Sequence, residues 1–248
     1  MRKLAIIICL LSCLSCSAKV KDYKVSVVKS YPHDASAYTQ GLFFHGNALF
    51  ESTGQFGESG FRKVDLESGR SLRKISFGRK YFAEGSCILG DKLYILTWTN
   101  KVAFVYDAKT LKYLQTWSYP REGWGLTTDG SLLYASDGSN RIYVLSDDFR
   151  LQRTILVKLE GRNLRYLNEL EWIDGKIWAN VYTTDLIVVI DPESGEVEAR
   201  IDCSGLLPES LRTVSTDVLN GIAVNSAGEI FLTGKNWPRI YQVELVKP

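Results

Sequence analysis

Histidine occurs twice in this 248-residue chain, methionine once and proline six times. No histidine or cysteine cluster has the spacing of zinc ligands, which excludes a zinc enzyme. No glycine-rich phosphate loop is present, and no long helical period appears anywhere. Charge is almost balanced: 30 basic residues against 28 acidic ones leave a formal net charge of +2. Nothing in that balance demands a nucleic acid or an anionic surface. Of the five cysteines, three fall in the first sixteen residues. Cys87 and Cys203 remain. Export would permit a disulfide between them, but they belong to distant segments of a repeating chain, so two buried free thiols are expected.

The N-terminus reads as a targeting segment. Arg2 and Lys3 form a short basic region, and the apolar run Leu4 to Leu14 is too short to span a bilayer comfortably. Leu10-Leu11-Ser12-Cys13 fits the end of a bacterial lipoprotein signal, and Cys13-Leu14-Ser15-Cys16 fits it less well. The alternative is an ordinary cleaved signal with incidental cysteines. Residues 1–16 are therefore set apart from the fold, and an exported protein is expected, periplasmic or anchored to a membrane by a lipid.

Hydrophobic residues make up 45% of the chain and aromatic residues 12%, enough for a sizeable core. Aromatic and β-branched enrichment with scattered glycine favours strands. Five segments share one pattern: TQGLFFHGNALFESTG, AEGSCILGDKLYILTW, GWGLTTDGSLLYASDG, LNELEWIDGKIWANVY and LNGIAVNSAGEIFLTGK. Each opens on a polar or aromatic residue followed by glycine, with Glu169 as the odd member. An apolar strand, a turn and a second apolar strand come next. The junctions VDLESGR, VYDAKTLK, VLSDDFRLQ and VIDPESGEV mark a third strand running through a turn into a polar fourth.

Four strands in about 40 to 50 residues is the size of a propeller blade. The expected fold is an all-β, five-bladed β-propeller of four-stranded antiparallel blades, forming a single domain over 17–248. Lys24 to Lys29 alternates apolar and polar residues, and Arg239 to Val246 also reads as a strand. The N-terminal strand should join the last blade and close the ring, removing exposed sheet edges. The polar stretch Gly205 to Asp217 can hold a short helix. A closed ring of this kind is by default a monomer.

Equivalent residues in different blades share one radius and one height. The residue before each repeat glycine gives one such set: Gln40, Glu84, Trp124, Asn168 and Asn220. The end of the second strand gives another: Thr53, Trp98, Asp137, Tyr182 and Lys235. A purely structural position would repeat one small or apolar type, and these do not. Amides in such a channel can equally satisfy backbone groups or water, and Trp98, Trp124 and Tyr182 can equally pack between blades. Asp137 reads as a turn residue. Glu84 stands apart, because a buried carboxylate without a partner is costly. It marks either a salt bridge or a catalytic proton.

These residues also carry a resemblance. YPHDASAYTQGL, LFESTGQFGES, FAEG, LTW, EGWGLTTDG, LNELE, ANVYTTD, LNGIA and TGKNWP, in this order, resemble the plant and bacterial type of glutaminyl-peptide cyclotransferase. The match runs from about Tyr31 to Tyr241. The resemblance implies a five-bladed propeller, with no cofactor and no metal, acting on peptides or proteins with an N-terminal glutamine. It implies that Glu84 is the catalytic residue. It implies that Gln40, Asn168, Lys235, Trp98, Trp124, Tyr182, Phe82 and Tyr38 bind substrate. Tyr38 stands where that family usually has phenylalanine, and Tyr182 where tryptophan is common.

Cyclisation of glutamine needs a neutral α-amine, donors for a developing oxyanion, a proton for the departing ammonia and a bent side chain. Glu84 is expected to take the proton from the amine and deliver it to the leaving nitrogen. Phe82 and Trp98 would favour its neutral form, and Lys235 would oppose that. Two rivals share the architecture. One is a non-enzymatic propeller that binds a peptide or cell-wall ligand. The other is a propeller enzyme of the lactonase or quinone-cofactor kind.

Overall fold

The computed structural model describes residues 19–248. The targeting segment expected at 1–16, with Cys13 and Cys16, lies outside the described residues. Among the described residues the regular structure is all β, apart from one turn of 3₁₀-helix at Glu209–Leu211, inside the polar stretch where a short helix was expected.

The chain opens with strand β1 (Lys21–Pro32). A first four-stranded antiparallel sheet comes next: β2 (Thr39–His45), β3 (Ala48–Thr53), β4 (Gly60–Val64) and β5 (Ser71–Ser76). A second holds β6 (Ala83–Leu89), β7 (Lys92–Thr97), β8 (Val102–Asp107) and β9 (Tyr113–Ser118). A third holds β10 (Leu126–Thr128), β11 (Leu133–Ser136), β12 (Arg141–Leu145) and β13 (Leu151–Leu156). A two-stranded hairpin joins β14 (Lys158–Leu159) to β15 (Arg162–Asn163). An eight-stranded sheet combines β16 (Leu167–Ile173), β17 (Lys176–Val181), β18 (Leu186–Ile190) and β19 (Val197–Asp202) with β20 (Leu219–Val224), β21 (Ile230–Gly234), β22 (Arg239–Val246) and β1. In that sheet β1 pairs antiparallel with β22 and parallel with β19.

In the first three sheets the first two strands are mostly buried and the fourth mostly exposed. In the second sheet β6 and β7 are almost wholly buried, whereas β9 is mostly exposed. This is why the first two segments of each repeat are apolar and the fourth polar. Aspartates cap the turns into the fourth strands: the Asp65, Asp107 and Asp191 carboxylates each accept backbone N–H bonds from residues two or three further on.

The first strands of neighbouring groups pack together: β2 beside β6, β6 beside β10, β10 beside β16, β16 beside β20, and β20 beside β2. The repeat glycines allow that approach. A Cβ on Gly85 would collide with backbone atoms of Gly125 and Leu126, and one on Gly125 with the carbonyl of Asn168. Between the groups, buried apolar side chains fall into five clusters among the described residues. One stacks Phe43, Phe50 and Phe61 on Ile88, Leu93 and Ile95 of the next sheet. Each such large side chain, fully buried, contributes about 1.5–3 kcal/mol. Cys87 and Cys203 are buried free thiols in two different clusters.

Candidate active site

Four of the five repeats carry a register shift at the same place. The shift falls between Thr39 and Gly41, Ala83 and Ser86, Leu167 and Leu170, and Leu219 and Ile222. Gln40, Glu84, Asn168 and Asn220 therefore sit in equivalent β-bulges. A bulge breaks the strict alternation of a strand and re-aims the side chain it carries. The bulged residue is followed by glycine in three of these repeats and by Glu169 in the fourth.

The second strand of each hairpin runs back antiparallel. Its end therefore lies beside the bulge, and Trp98, Tyr182 and Lys235 immediately follow β7, β17 and β21. Tyr38 and Phe82 precede β2 and β6, and Trp124 precedes β10. All nine residues expected from the sequence line one cavity of about 200 Å³: Tyr38, Gln40, Phe82, Glu84, Trp98, Trp124, Asn168, Tyr182 and Lys235. The remaining members of the two sets do not line it. Asn220 donates to the Thr39 carbonyl and to Gln40 Oε1, Asp137 caps a turn through Ser139, and Thr53 bonds the Gly60 carbonyl.

Equivalent serines hold two of the bulges. Ser52 Oγ donates to the carbonyl of Glu84 at 2.6 Å, and Ser136 Oγ donates to the carbonyl of Asn168 at 2.7 Å. Each serine lies on the second strand of one repeat and fixes the site residue of the next. The Asn220 bond to its oxygen orients Gln40, leaving the amide nitrogen as a free donor at the cavity.

The walls are aromatic. Phe82 meets Trp98 and Tyr38 edge-on, at centroid distances of 5.5 and 6.0 Å. Trp124 meets Tyr182 edge-on at 5.5 Å. The Lys235 ammonium lies 4.7 Å from the centre of the Tyr38 ring and 4.8 Å from that of Tyr182. Their π-faces support a cation there. Burial nevertheless pushes the Lys235 pKa down, against the opposing pull of Glu84 and Asp217.

Glu84 is 4% exposed, and no side chain among the described residues bonds its carboxylate. Burial drives its pKa well above the ordinary carboxylate range, Lys235 opposes this, and Glu122 reinforces it. Burial is the larger effect and favours the neutral acid. Among the described residues Glu84 makes no salt bridge.

Asp217, Glu122 and Phe56 carried no sequence signal as site residues. Asp217 accepts from the Tyr38 hydroxyl at 3.0 Å, and its carbonyl accepts from Trp237 Nε1 at 2.9 Å. Burial, then Asp217, raises the Tyr38 pKa. Phe56, half exposed, packs edge-on against Phe82 at 5.4 Å. Asp217 and Phe56 lie outside the two aligned sets; Phe56 falls within the LFESTGQFGES motif, whereas only distance in space links Asp217 to the cavity. Glu122 belongs to the EGWG motif but adjoins the aligned position instead of occupying it.

The glutamine cyclotransferase family model matches residues 3–245. The chain is 40% identical over 242 residues to the glutaminyl-peptide cyclotransferase of Arabidopsis thaliana, covering 94% of this chain and 74% of that protein. It resembles the crystal structure of Myxococcus xanthus glutaminyl cyclase with a TM-score of 0.85 and 36% identity, over 92% of this chain and 98% of that one. A buried carboxyl group in an aromatic cavity, the ordered motifs and these likenesses agree: the chain belongs to the glutamine cyclotransferase family.

Proposed function

We propose that this protein is a glutaminyl-peptide cyclotransferase, converting the N-terminal glutamine of a peptide or protein to pyroglutamate with release of ammonia. The observation that carries this is Glu84: a buried carboxyl group, unpartnered among the described residues and held toward its neutral form, open to a cavity lined by amides and aromatic rings. Such a group can give a proton and take one back without changing its resting state.

The neutral α-amine attacks the side-chain carbonyl carbon, forming the N–C bond and placing the carbonyl π pair on oxygen. Glu84 gives its proton to the amide nitrogen. The C–N bond then breaks, the oxygen pair re-forms the carbonyl and ammonia leaves. The surplus proton on the new ring nitrogen passes to the Glu84 carboxylate and restores the acid. One carboxyl serves both steps because both nitrogens are bonded to the same carbon. Gln40, Asn168 and Lys235 are the donors for the oxyanion or the substrate backbone. Trp98, Trp124, Tyr182, Tyr38 and Phe82 hold the side chain bent, so that much of the acceleration comes from orientation in an intramolecular closure.

The chain around this site reads as a single five-bladed ring over 17–248, closed by the N-terminal strand. This is supported by the five apolar clusters between strand groups and by β1 pairing with β22. We assign residues 1–16 to an export signal, with Cys13 or Cys16 as a lipid-bearing residue and the enzyme a monomer in the periplasm or on a membrane. Mass spectrometry of the mature N-terminus and light scattering test these assignments.

Purified protein incubated with a glutamine-initiated peptide should release one ammonia per peptide and leave the N-terminus refractory to Edman degradation. Binding of the peptide without ammonia release would overturn the assignment in favour of a non-enzymatic binding propeller.

A further inference from the structure

We propose that Glu122 is a positioning residue: one of its carboxylate oxygens clamps both indoles that wall the cavity, and so holds a negative charge against the wall of the cavity that Glu84 also lines. This rests on the cyclotransferase assignment and extends it to a residue outside the cavity lining.

Trp98 and Trp124 come from different sheets. Trp98 Nε1 donates to Glu122 Oε2 at 2.8 Å, and Trp124 Nε1 donates to the same oxygen at 3.2 Å. An indole nitrogen can only donate, and a charged acceptor strengthens the bond. Each indole also leads to one half of the aromatic wall. Trp98 packs on Phe82, and Trp124 packs on Tyr182. Glu122 therefore ties the two halves together from the solvent side, since its own side chain is exposed.

The sequence Glu122-Gly123-Trp124 is built for this. Gly123 N–H donates to the Thr97 carbonyl at 3.0 Å, beside Trp98. A Cβ at Gly123 would lie 2.5 Å from Leu96 Cβ and 2.9 Å from the Thr97 carbonyl oxygen. Only glycine lets this segment lie against the end of β7, and that contact brings Glu122 to Trp98. The charged groups acting on Glu84 come from two directions: Lys235, following β21, draws its proton off, and Glu122, preceding β10, holds it on. The Tyr38 hydroxyl, held by Asp217, is the remaining titratable group coupled to Glu84.

Two variants separate the clamp from the charge. Glu122→Gln keeps an oxygen able to accept both indole N–H bonds but removes the charge. Glu122→Ala removes both. In Glu122→Gln the alkaline limb of the kcat/KM profile, where Glu84 loses its proton, should move to lower pH by about half a unit at low salt. In Glu122→Ala kcat/KM should fall about tenfold, the equivalent of roughly one charge-assisted hydrogen bond. The Nε1–H resonances of Trp98 and Trp124 should shift and exchange faster with water in that variant. An unmoved alkaline limb in Glu122→Gln overturns the electrostatic role. Wild-type indole resonances in Glu122→Ala overturn the clamp. The resonances need no turnover, so they decide the clamp even if wild-type protein releases no ammonia, an outcome that would instead sink the cyclotransferase assignment.

Discussion

Glu51 and Glu84 lie on adjacent sheets, in β3 and β6, and both are shielded from solvent, at 0% and 4% exposure. Burial alone would push both toward the neutral acid. Glu51 has partners on every side. His33 Nε2 lies 3.0 Å from Oε1, Thr39 Oγ1 donates to Oε1 at 2.7 Å, and Arg62 Nε donates to Oε2 at 2.8 Å. His33 Nδ1 meets the Trp237 carbonyl, so both ring nitrogens face acceptors. Burial raises the Glu51 pKa, but His33 and Arg62 outweigh it and bring it to about 2. Glu84 has none of these bonds among the described residues, and burial holds its pKa well above the ordinary carboxylate range. Depth is common to both glutamates; hydrogen-bonded counter-charge decides which pKa falls and which rises.

Glu51 also serves the site. Thr39 stands between Tyr38 and Gln40, and Trp237 lies two residues beyond Lys235. The Glu51 network thus joins the two segments that carry three of the cavity's polar side chains. Its role is mechanical, whereas the one proposed for Glu84 is chemical.

The sharpest test of this contrast is to neutralise each glutamate in turn. Glu84→Gln should lower ammonia release by about 10²–10⁴-fold, the span of general acid–base catalysis, with an unchanged or higher melting temperature. Full activity in that variant would remove Glu84 from the mechanism. Glu51→Gln should instead cost about 3–5 kcal/mol in urea unfolding, because Arg62 and His33 would be left buried without their counter-charge. A loss of activity in Glu51→Gln without any loss of stability would erase the distinction.

Stability against pH provides a gentler comparison. Glu51, depressed to about 2, contributes stability that is complete above the ordinary carboxylate pKa and fades as pH falls toward 2. Glu84 behaves oppositely, and so does Glu171, which burial raises to about 8 against the bonds from Val224 and Thr127. Their contribution is complete below the ordinary carboxylate pKa and fades as pH rises through the raised values. The melting temperature should therefore peak in mildly acidic buffer. Glu171→Gln should flatten the alkaline side of that peak and Glu51→Gln the acidic side. A wild-type curve flat from about pH 5 to 8, a window taken from these shifts, would contradict the raised carboxyls.

The smallest effect is expected at Tyr38→Phe. It removes the Asp217 bond but keeps the ring that packs on Phe82 and beneath Lys235. A typical hydrogen bond contributes about 1 kcal/mol, so kcat/KM should fall by less than about tenfold. A larger loss would make the hydroxyl a participant in the chemistry.

The periodicity of apolar strands and aspartate turns was legible in the chain because each element is specified by contiguous residues. The site was legible for a related reason. Repetition turns a position within a motif into a position in space, so Gln40, Glu84, Trp124 and Asn168 could be aligned on one another without coordinates, and Trp98, Tyr182 and Lys235 likewise. Asp217 and Phe56 escaped because they lie off both alignments, and Glu122 because it neighbours an aligned position without holding one.

Residue order alone established the strands, the repeat and the circle of residues that meet in one cavity. It singled out Glu84 but could not tell whether its carboxylate is partnered, as that of Glu51 is, or bare. That difference depends on which charges lie within a few ångströms. Those charges come from His33 and Arg62 in one case and from Lys235, more than a hundred residues away in the chain, in the other. Only the folded arrangement sets those distances, and with them the free energy of a buried proton.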